Sequence, residues 1–152
     1  MIQNYLSKLT SSLNNDNYKE IEKLSLLLIE TINSNKNIYI CGNGGSAANS
    51  IHIANDFIYL NNKLKENKVI KVESLSSNPA IITCLANDKS YDEIFSFQLT
   101  TKADPNDLLI ILSGSGNSKN IVKAAVESKK IGMKSFGIIG FDGGAVKEIL
   151  DD

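Results

Sequence analysis

The sequence has no tryptophan and no arginine, and only two prolines, two cysteines and one histidine among its 152 residues. Because every basic side chain is a lysine, the bidentate guanidinium fork that reads guanine edges or clamps phosphates is unavailable. The 16 basic and 17 acidic side chains nearly cancel to a net charge of −1, whereas proteins that wrap nucleic acid carry a basic surplus. The composition therefore argues against a nucleic-acid partner.

Cysteines and long apolar runs are equally sparse. Cys41 and Cys84 are too few for a disulfide framework and lack CxxC spacing, so both are predicted to be small buried hydrophobic residues. No apolar stretch approaches the roughly 20 residues that span a bilayer, and no basic region followed by an apolar run marks a signal peptide. These patterns predict a soluble cytoplasmic domain with no membrane partner.

Hydrophobic periodicity predicts an N-terminal helical segment over residues 1–34. Apolar residues at helical spacing indicate one helix over 2–13 and a second from about 18 to 33, with the Asn/Asp cluster 14–17 breaking the run. The second helix is apolar on more than one face. This suits either a helix packed between a sheet and the first helix or a helix at an oligomer interface.

From residue 37 onward, strands and helices alternate. Strands are predicted at 37–41, 69–74, 107–112 and 135–139, and helices at 47–60, 78–103 with a break near 88–90, 121–131, and briefly after 144. Such alternation implies right-handed crossovers and a parallel sheet, hence an α/β, three-layer αβα sandwich in a single domain over 1–152. Four strands are few for this fold, so a further C-terminal strand and helix are expected to be missing from the sequence.

Two turns rich in glycine and serine, 42–46 (GNGGS) and 113–118 (SGSGNS), each follow an apolar strand and open a helix. The carboxyl ends of parallel strands share one edge, so both turns are expected to converge on one crevice. Glycines allow close backbone approach, helix N-termini present free N–H groups, and serine hydroxyls add donors. Together these features predict a phosphate cradle that works without arginine.

Two other interpretations of these turns stay open. A glycine turn can be purely structural, although this explains one serine-rich turn better than two on the same edge. Alternatively, Gly42, Gly44 and Ala47 match a dinucleotide fingerprint with Glu73 as its ribose ligand, but Glu73 lies farther along than the usual ~20 residues. A P-loop is excluded, because no Gly-Lys-Ser/Thr follows either turn.

Two polar pairs are further candidates for chemistry. His52 and Asp56 are four residues apart on the helix after the first turn, so they share one helix face and could act as an acid/base or metal-binding pair. A surface ion pair or a core histidine is the alternative. Asn87 and Asp88 could present an amide and a carboxylate to sugar hydroxyls, or could simply end a helix.

The segments CGNGGSAANSIH, CLANDKSYDEIF, LLIILSGSGNSKNIVKAA and IIGFDGG, in this order, resemble the sugar isomerase (SIS) family. Within it, the chain is most similar to bacterial phosphoheptose isomerases, which convert sedoheptulose 7-phosphate to glycero-manno-heptose 7-phosphate for surface polysaccharide. The resemblance covers the whole chain. It implies a homotetramer built by the two N-terminal helices and, in metal-dependent members, a zinc ion.

The resemblance also implies roles for individual residues. His52 matches a zinc ligand, and Asp56 lies where the family has a glutamate that both binds metal and transfers a proton. The residues that it assigns to substrate binding are Asn43, Gly44, Gly45 and Ser46 in the first turn, Asn87 and Asp88, and Ser113, Gly114, Ser115 and Ser118 in the second turn.

Two departures from the family qualify these expectations. Asp56 keeps the carboxylate but shortens its reach by one CH₂, and misplacement of about an ångström can cost roughly 10²-fold in rate. The family's remaining Gln and His lie in a C-terminal helix with no counterpart in this sequence. The chain is therefore expected to belong to a longer isomerase or to be a non-catalytic derivative, such as a scaffold that binds a replication initiator or a sugar-phosphate sensor.

Overall fold

A computed structural model describes residues 1–12, 15–63 and 69–152, which form two compact units, Met1–Glu30 and Thr31–Asp152. In chain order, the helices are α1 (Ile2–Ser12), α2 (Asn15–Asn33), α3 (Gly45–Leu60), α4 (Pro79–Asp88), α5 (Ser96–Lys102) and α6 (Lys119–Ile131). The strands are β1 (Asn37–Gly42), β2 (Lys71–Ser74), β3 (Leu108–Ser113) and β4 (Lys134–Ile139). No helix within these described ranges is long and apolar enough to cross a membrane.

The N-terminal unit consists of α1 and most of α2. The helix α2 begins at Asn15 rather than near Tyr18, because Asn and Asp suit the first turn of a helix as well as a loop. Residues 13 and 14 lie outside the described part of the chain. Many apolar side chains on both helices are more than half exposed to solvent: Ile2, Tyr5, Leu6, Tyr18, Ile21, Leu26 and Ile29.

The four strands form one parallel sheet in the order β2-β1-β3-β4, as predicted from the alternation of elements. The central strands β1 and β3 are almost completely buried, which explains why their sequences are continuous apolar runs rather than alternating ones. Ile38 pairs with Leu108 and Gly42 with Leu112, so the two central strands end at the same edge of the sheet.

Helices cover both faces of the sheet. From β1 the chain crosses to β2 at one edge of the sheet, and from β3 it crosses to β4 at the other edge. Because both crossovers are right-handed, their helices α3 and α6 lie on opposite faces of the sheet. The strand order reverses between β1 and β3, and the loops after these two strands therefore separate to leave a crevice at their carboxyl ends. The turns 42–46 and 113–118 are these two loops.

At the opposite end of the sheet, a buried carboxylate connects the start of β1 to the loop before β3. Asp107 accepts hydrogen bonds from the Asn37 backbone N–H (2.8 Å), the Asn37 side-chain amide (3.1 Å) and the Asp104 backbone N–H (2.9 Å). Beside it, the Tyr39 hydroxyl donates to the Lys102 carbonyl at 2.8 Å. Burial, and then the negative charges of Asp107, Glu73 and Asp104, raise the pKa of Tyr39 to about 12. These bonds brace the sheet at the end away from the crevice.

The second strand and the segment after residue 144 also differ from the prediction. The second strand starts at Lys71 rather than at residue 69, because the Asn61 side-chain amide binds both the N–H (2.6 Å) and the carbonyl (3.1 Å) of Ile70. The predicted helix after residue 144 is instead a series of turns. There, the N–H of Val146 donates to the Gly116 carbonyl at 3.0 Å, so it is unavailable to a helix.

The prediction that both cysteines are buried is correct for one of them. Cys41 is fully buried in β1, and burial raises the pKa of its thiol to about 12. Cys84 is exposed, with its sulfur 3.6 Å from the Asp88 carboxylate, because its neighbour Leu85 takes the core-facing position on α4. An apolar residue type therefore does not settle which face of an amphipathic helix it occupies.

Candidate functional site

The first loop leads from β1 into α3 through a tight backbone turn. A Cβ atom on Gly42 would lie 2.7 Å from the Cβ of Ser46, so only glycine fits there. Gly44 adopts a φ of 55°, which favours glycine, and it caps α3 without any side-chain hydrogen bond. The first N–H groups of a helix have no partner within it. The Ser46 N–H donates to the Asn43 carbonyl at 3.0 Å, and no side chain caps the start of α3. The positive end of this helix favours an anionic group.

The second loop leads from β3 into α6 and is held by its own side chains. The Ser113 hydroxyl accepts the N–H of Gly116 at 3.0 Å, and the Ser115 hydroxyl accepts the N–H of Asn117 at 3.2 Å. Ser118 is the N-cap of α6 and makes no capping bond. The helix α4, in contrast, is capped by Asn78, which accepts from the N–H groups of Ala80 and Ile81.

The two loops meet at one cavity of about 470 Å³. Its described lining comprises Ser46, Asn49, His52, Ile53, Leu112, Ser113, Gly114 and Ile138. Two serine hydroxyls, an amide and an imidazole thus converge, and none of these described lining residues is acidic. The predicted convergence of the two loops is confirmed, while the roles of the individual residues in binding stay predictions.

The structure does not place every predicted substrate ligand in this cavity. Ser115 faces a neighbouring concavity of about 490 Å³ that it shares with Asn117, Phe141 and Asp142. Ser113 lines the cavity between the two loops, whereas Ser115, two residues later, lines the neighbouring concavity. The spacing of the serines in the sequence does not indicate which of the two concavities each one faces.

The pair Asn87 and Asp88 ends α4 on the protein surface. Both side chains are exposed, and the Asn87 amide donates to the Asp88 carboxylate at 2.8 Å. Neither is among the described residues that line the cavity between the loops. Their predicted contact with sugar hydroxyls stays a prediction.

His52 and Asp56 lie on one face of α3, as their spacing predicts. The distance from His52 Nε2 to the nearer Asp56 carboxylate oxygen is 3.5 Å, and the side chains are 75% and 62% exposed. His52 also lines the cavity, whereas Asp56 stands one helical turn behind it. This geometry gives an imidazole at the cavity wall with a carboxylate 3.5 Å from it.

A zinc ion needs more donors than this pair provides. Zinc sites in proteins use three or four protein ligands, and the part of the chain that the structure describes holds no cluster of three or more His, Cys, Asp or Glu side chains. His52 and Asp56 by themselves do not make such a site. Zinc binding by this chain therefore stays a prediction.

Glu73, the ribose ligand that the dinucleotide interpretation requires, has another partner in the structure. Glu73 lies opposite Tyr39 in the pairing of β2 with β1, and its carboxylate binds the Lys102 ammonium group at 2.5 Å. Its charge is thus already paired on α5, so it is not free to hold a ribose.

Two residues outside the motifs bind the Asn43 side chain of the first loop. Asn120, in the first turn of α6, is 2% exposed and exchanges two hydrogen bonds with the Asn43 side chain. Tyr91 donates its hydroxyl to the same Asn43 oxygen at 3.1 Å. Neither Asn120 nor Tyr91 belongs to a recognisable motif in the sequence. Their shared partner, Asn43, lies 77 and 48 residues away in the chain, so local patterns do not indicate these contacts.

Charged pairs join the same segments. Lys123 of α6 contacts the Glu93 carboxylate, and Lys119 lies 3.9 Å from that of Asp92. The hydrogen bond from Lys123, and then the one from Ser96, lowers the pKa of Glu93. The short 3₁₀ turn Tyr91–Glu93 is therefore fastened to the first two turns of α6.

Comparison with known proteins decides the family. A model of the SIS domain matches residues 3–140. The chain belongs to the SIS-domain family. This SIS-domain protein is 41% identical over 138 residues to the phosphoheptose isomerase of Helicobacter pylori strain P12, covering 90% of this chain and 70% of that protein. It is 37% identical over 127 residues to the phosphoheptose isomerase of Nitratiruptor, covering 84% and 67%.

Two solved structures share the fold of this SIS-domain protein. The phosphoheptose isomerase of Francisella tularensis superposes with a TM-score of 0.85 at 22% identity, covering 99% of this chain and 78% of that one. The phosphoheptose isomerase of Neisseria gonorrhoeae gives 0.79 at 23% identity, covering 100% and 82%. The chain spans 63–70% of the length of three Helicobacter pylori relatives.

Proposed function

We propose that this SIS-domain protein is an aldose–ketose isomerase that converts sedoheptulose 7-phosphate to D-glycero-D-manno-heptose 7-phosphate through a cis-enediol intermediate, for heptose and lipopolysaccharide biosynthesis. The observation that carries the proposal is the single cavity in which Ser46 and Ser113, from two different loops, face His52. The names of the relatives support the choice of sugar phosphate.

Phosphate binding follows from hydroxyls and helix ends rather than from cations. Ser46 and Ser113 supply hydroxyls at the cavity, and the helices that follow their loops, α3 and α6, both begin without a side-chain cap. The positive ends of the two helix dipoles favour a dianion at this position. Fixing the phosphate orients the other end of the sugar for reaction.

The isomerisation moves a proton between neighbouring carbons, which requires a base and an acid at the reacting end. The proposal assigns one of these transfers to the His52–Asp56 pair. His52 stands at the cavity wall, and the Asp56 carboxylate lies 3.5 Å from its Nε2.

Self-association is part of the proposal, with a homotetramer as the expected state. Apolar side chains such as Tyr5, Leu6, Ile21 and Leu26 stay more than half exposed on α1 and α2. An apolar stripe of this kind on a helix is stabilised by burial against another copy. Sedimentation equilibrium of the protein, compared with a Leu6→Lys/Leu26→Lys variant, measures this directly: a tetramer is expected to become a smaller species.

Ser46→Ala is expected to raise KM for sedoheptulose 7-phosphate about 10-fold to 100-fold with a smaller effect on kcat. A hydrogen bond to a charged group contributes about 1.5–3 kcal/mol, and the methyl group of alanine cannot donate it to the phosphate. The measurement is steady-state turnover of sedoheptulose 7-phosphate to the aldose, with the gene's full reading frame expressed.

Thr101→Ala is the matched control. Its exposed hydroxyl donates to the Phe97 carbonyl of its own helix at 2.7 Å, and its loss is expected to leave KM unchanged. Absence of turnover in the wild-type protein, together with tight binding of a replication initiator, would replace the isomerase by the scaffold alternative.

A further inference from the structure

We infer that Asn120 and Tyr91 are positioning residues that hold the Asn43 amide in one orientation, so that Asn43 acts on the sugar phosphate only as a hydrogen-bond donor. This inference rests on the proposed isomerase function and deepens it. Asn43, Asn120 and Tyr91 are not among the described residues that line the cavity between the two loops. Asn43 belongs to the first loop, three residues before Ser46, which does line the cavity. Asn120 and Tyr91 bind the Asn43 side chain and therefore act through it.

The Asn43 and Asn120 side chains form a reciprocal amide pair. Asn43 Nδ2 donates to Asn120 Oδ1 at 2.8 Å, and Asn120 Nδ2 donates to Asn43 Oδ1 at 2.9 Å. Two antiparallel bonds between planar amides define both the position and the rotation of the Asn43 side chain. Because Asn120 is 2% exposed, little water competes for this pair.

Tyr91 completes the arrangement. Its hydroxyl donates to Asn43 Oδ1 at 3.1 Å, so this oxygen accepts two hydrogen bonds from the protein. A carbonyl oxygen has two lone pairs and an amide nitrogen has two N–H groups. After its three bonds to Tyr91 and Asn120, the Asn43 side chain retains one N–H and no acceptor. Only an oxygen with a free lone pair, such as a sugar hydroxyl or a phosphate oxygen, can pair with it.

The same contacts connect three segments around the proposed site. Asn43 belongs to the first loop, Asn120 follows the second loop by two residues, and Tyr91 follows the pair 87–88 by three. The Glu93–Lys123 and Asp92–Lys119 pairs hold the Tyr91 turn to α6 on either side of Asn120. Displacing any one segment therefore loosens the Asn43 amide.

The test is a double-mutant cycle on kcat/KM for sedoheptulose 7-phosphate. Tyr91→Phe keeps the ring and removes one neutral hydrogen bond, which is expected to lower kcat/KM about 3-fold to 10-fold. Asn120→Asp is nearly isosteric but places an oxygen where the donor to Asn43 was, and a larger loss is expected. In an Asn43→Ala background, Tyr91→Phe is expected to have no further effect, because its target amide is gone.

Tyr39→Phe is the matched control. It removes a phenol hydroxyl from the bond to the Lys102 carbonyl, on the same strand that leads to Asn43. This change is expected to lower the melting temperature while leaving kcat and KM unchanged. A merely structural role for Tyr91 would give the same result as Tyr39, or an equal loss in the Asn43→Ala background, and either outcome would overturn the inference.

Failure of the proposed function is distinguishable from failure of this inference. If the wild-type protein has no turnover, the isomerase proposal fails, and the Asn43 side-chain NH₂ signals in ¹⁵N NMR then report on the amide alone. The inference expects these signals to be protected from exchange in the wild type and to shift in Tyr91→Phe. Unprotected signals that do not respond to Tyr91→Phe would contradict it, whatever the activity.

Discussion

Replacing Asp56 by asparagine is expected to lower kcat for sedoheptulose 7-phosphate by about 10²-fold to 10⁴-fold. Positioned acid–base groups contribute rate factors of this size. The amide of asparagine cannot take up a proton in place of the Asp56 carboxylate, which lies 3.5 Å from His52 Nε2. KM is expected to change little, because the phosphate-binding serines are untouched. Turnover assays across a pH series, with the folded state checked by circular dichroism, measure the effect.

Two further variants separate the chemistry of Asp56 from a general loss of charge. Asp56→Glu restores the longer carboxylate that resemblance to the family predicts, and it is expected to retain or raise kcat. Asp104→Asn makes the same carboxylate-to-amide change near the opposite end of the sheet, next to Asp107, and is expected to leave kcat unchanged. Equal activity of Asp56→Asn and Asp104→Asn would remove Asp56 from the reaction.

The sheet and the meeting of the two loops were predictable from the sequence because they depend on local patterns. A continuous apolar run such as 108–112 indicates a strand covered on both faces. Glycine and serine after two such runs mark the loops, and the topology rule for parallel sheets brings them to one edge. The i, i+4 spacing of His52 and Asp56 likewise defines a helix face without any knowledge of the tertiary structure.

The amide cluster and the division of the serine loop were not predictable in this way. Asn43 and Asn120 are 77 residues apart, and nothing in either local segment specifies their pairing. Ser113 and Ser115 have the same chemistry and are two residues apart, yet they face different concavities because the chain turns between them. Cys84 shows the same limit, since its exposure depends on how α4 packs rather than on its residue type.

The motif near the C-terminal end of the sequence, FDGG, supports the serine loop through its backbone. A Cβ atom on Gly116 would lie 2.0 Å from the carbonyl oxygen of Gly143, and one on Gly144 would lie 2.2 Å from that of Ser115. The N–H of Ala145 also donates to the Asn117 side chain at 2.8 Å. The loop that holds Ser113 and Ser115 is therefore shaped by direct backbone packing against the turn after β4.

Gly116→Ala is expected to destabilise the protein by at least about 2 kcal/mol and to abolish measurable saturation by sedoheptulose 7-phosphate. Part of the loss arises because Gly116 has a φ of 65°, where a side chain costs about 1–2 kcal/mol. The remainder arises because the Gly143 backbone must move away, and overpacking of this kind costs about 1–3 kcal/mol. Urea denaturation and steady-state kinetics measure the two effects.

Gly132→Ala separates backbone strain from the contact between the loops. Gly132 ends α6 with a φ of 83°, but a Cβ there would meet only the Pro105 side chain at an ordinary 3.8 Å. This variant is expected to lose about 1 kcal/mol of stability, as for glycine in a left-handed conformation, and to keep the wild-type KM. If Gly116→Ala behaved like Gly132→Ala in both measurements, the turn after β4 would have no part in shaping the serine loop. If KM rises in Gly116→Ala but not in Gly132→Ala, the backbone contact between Gly116 and Gly143 is needed for the loop to bind phosphate.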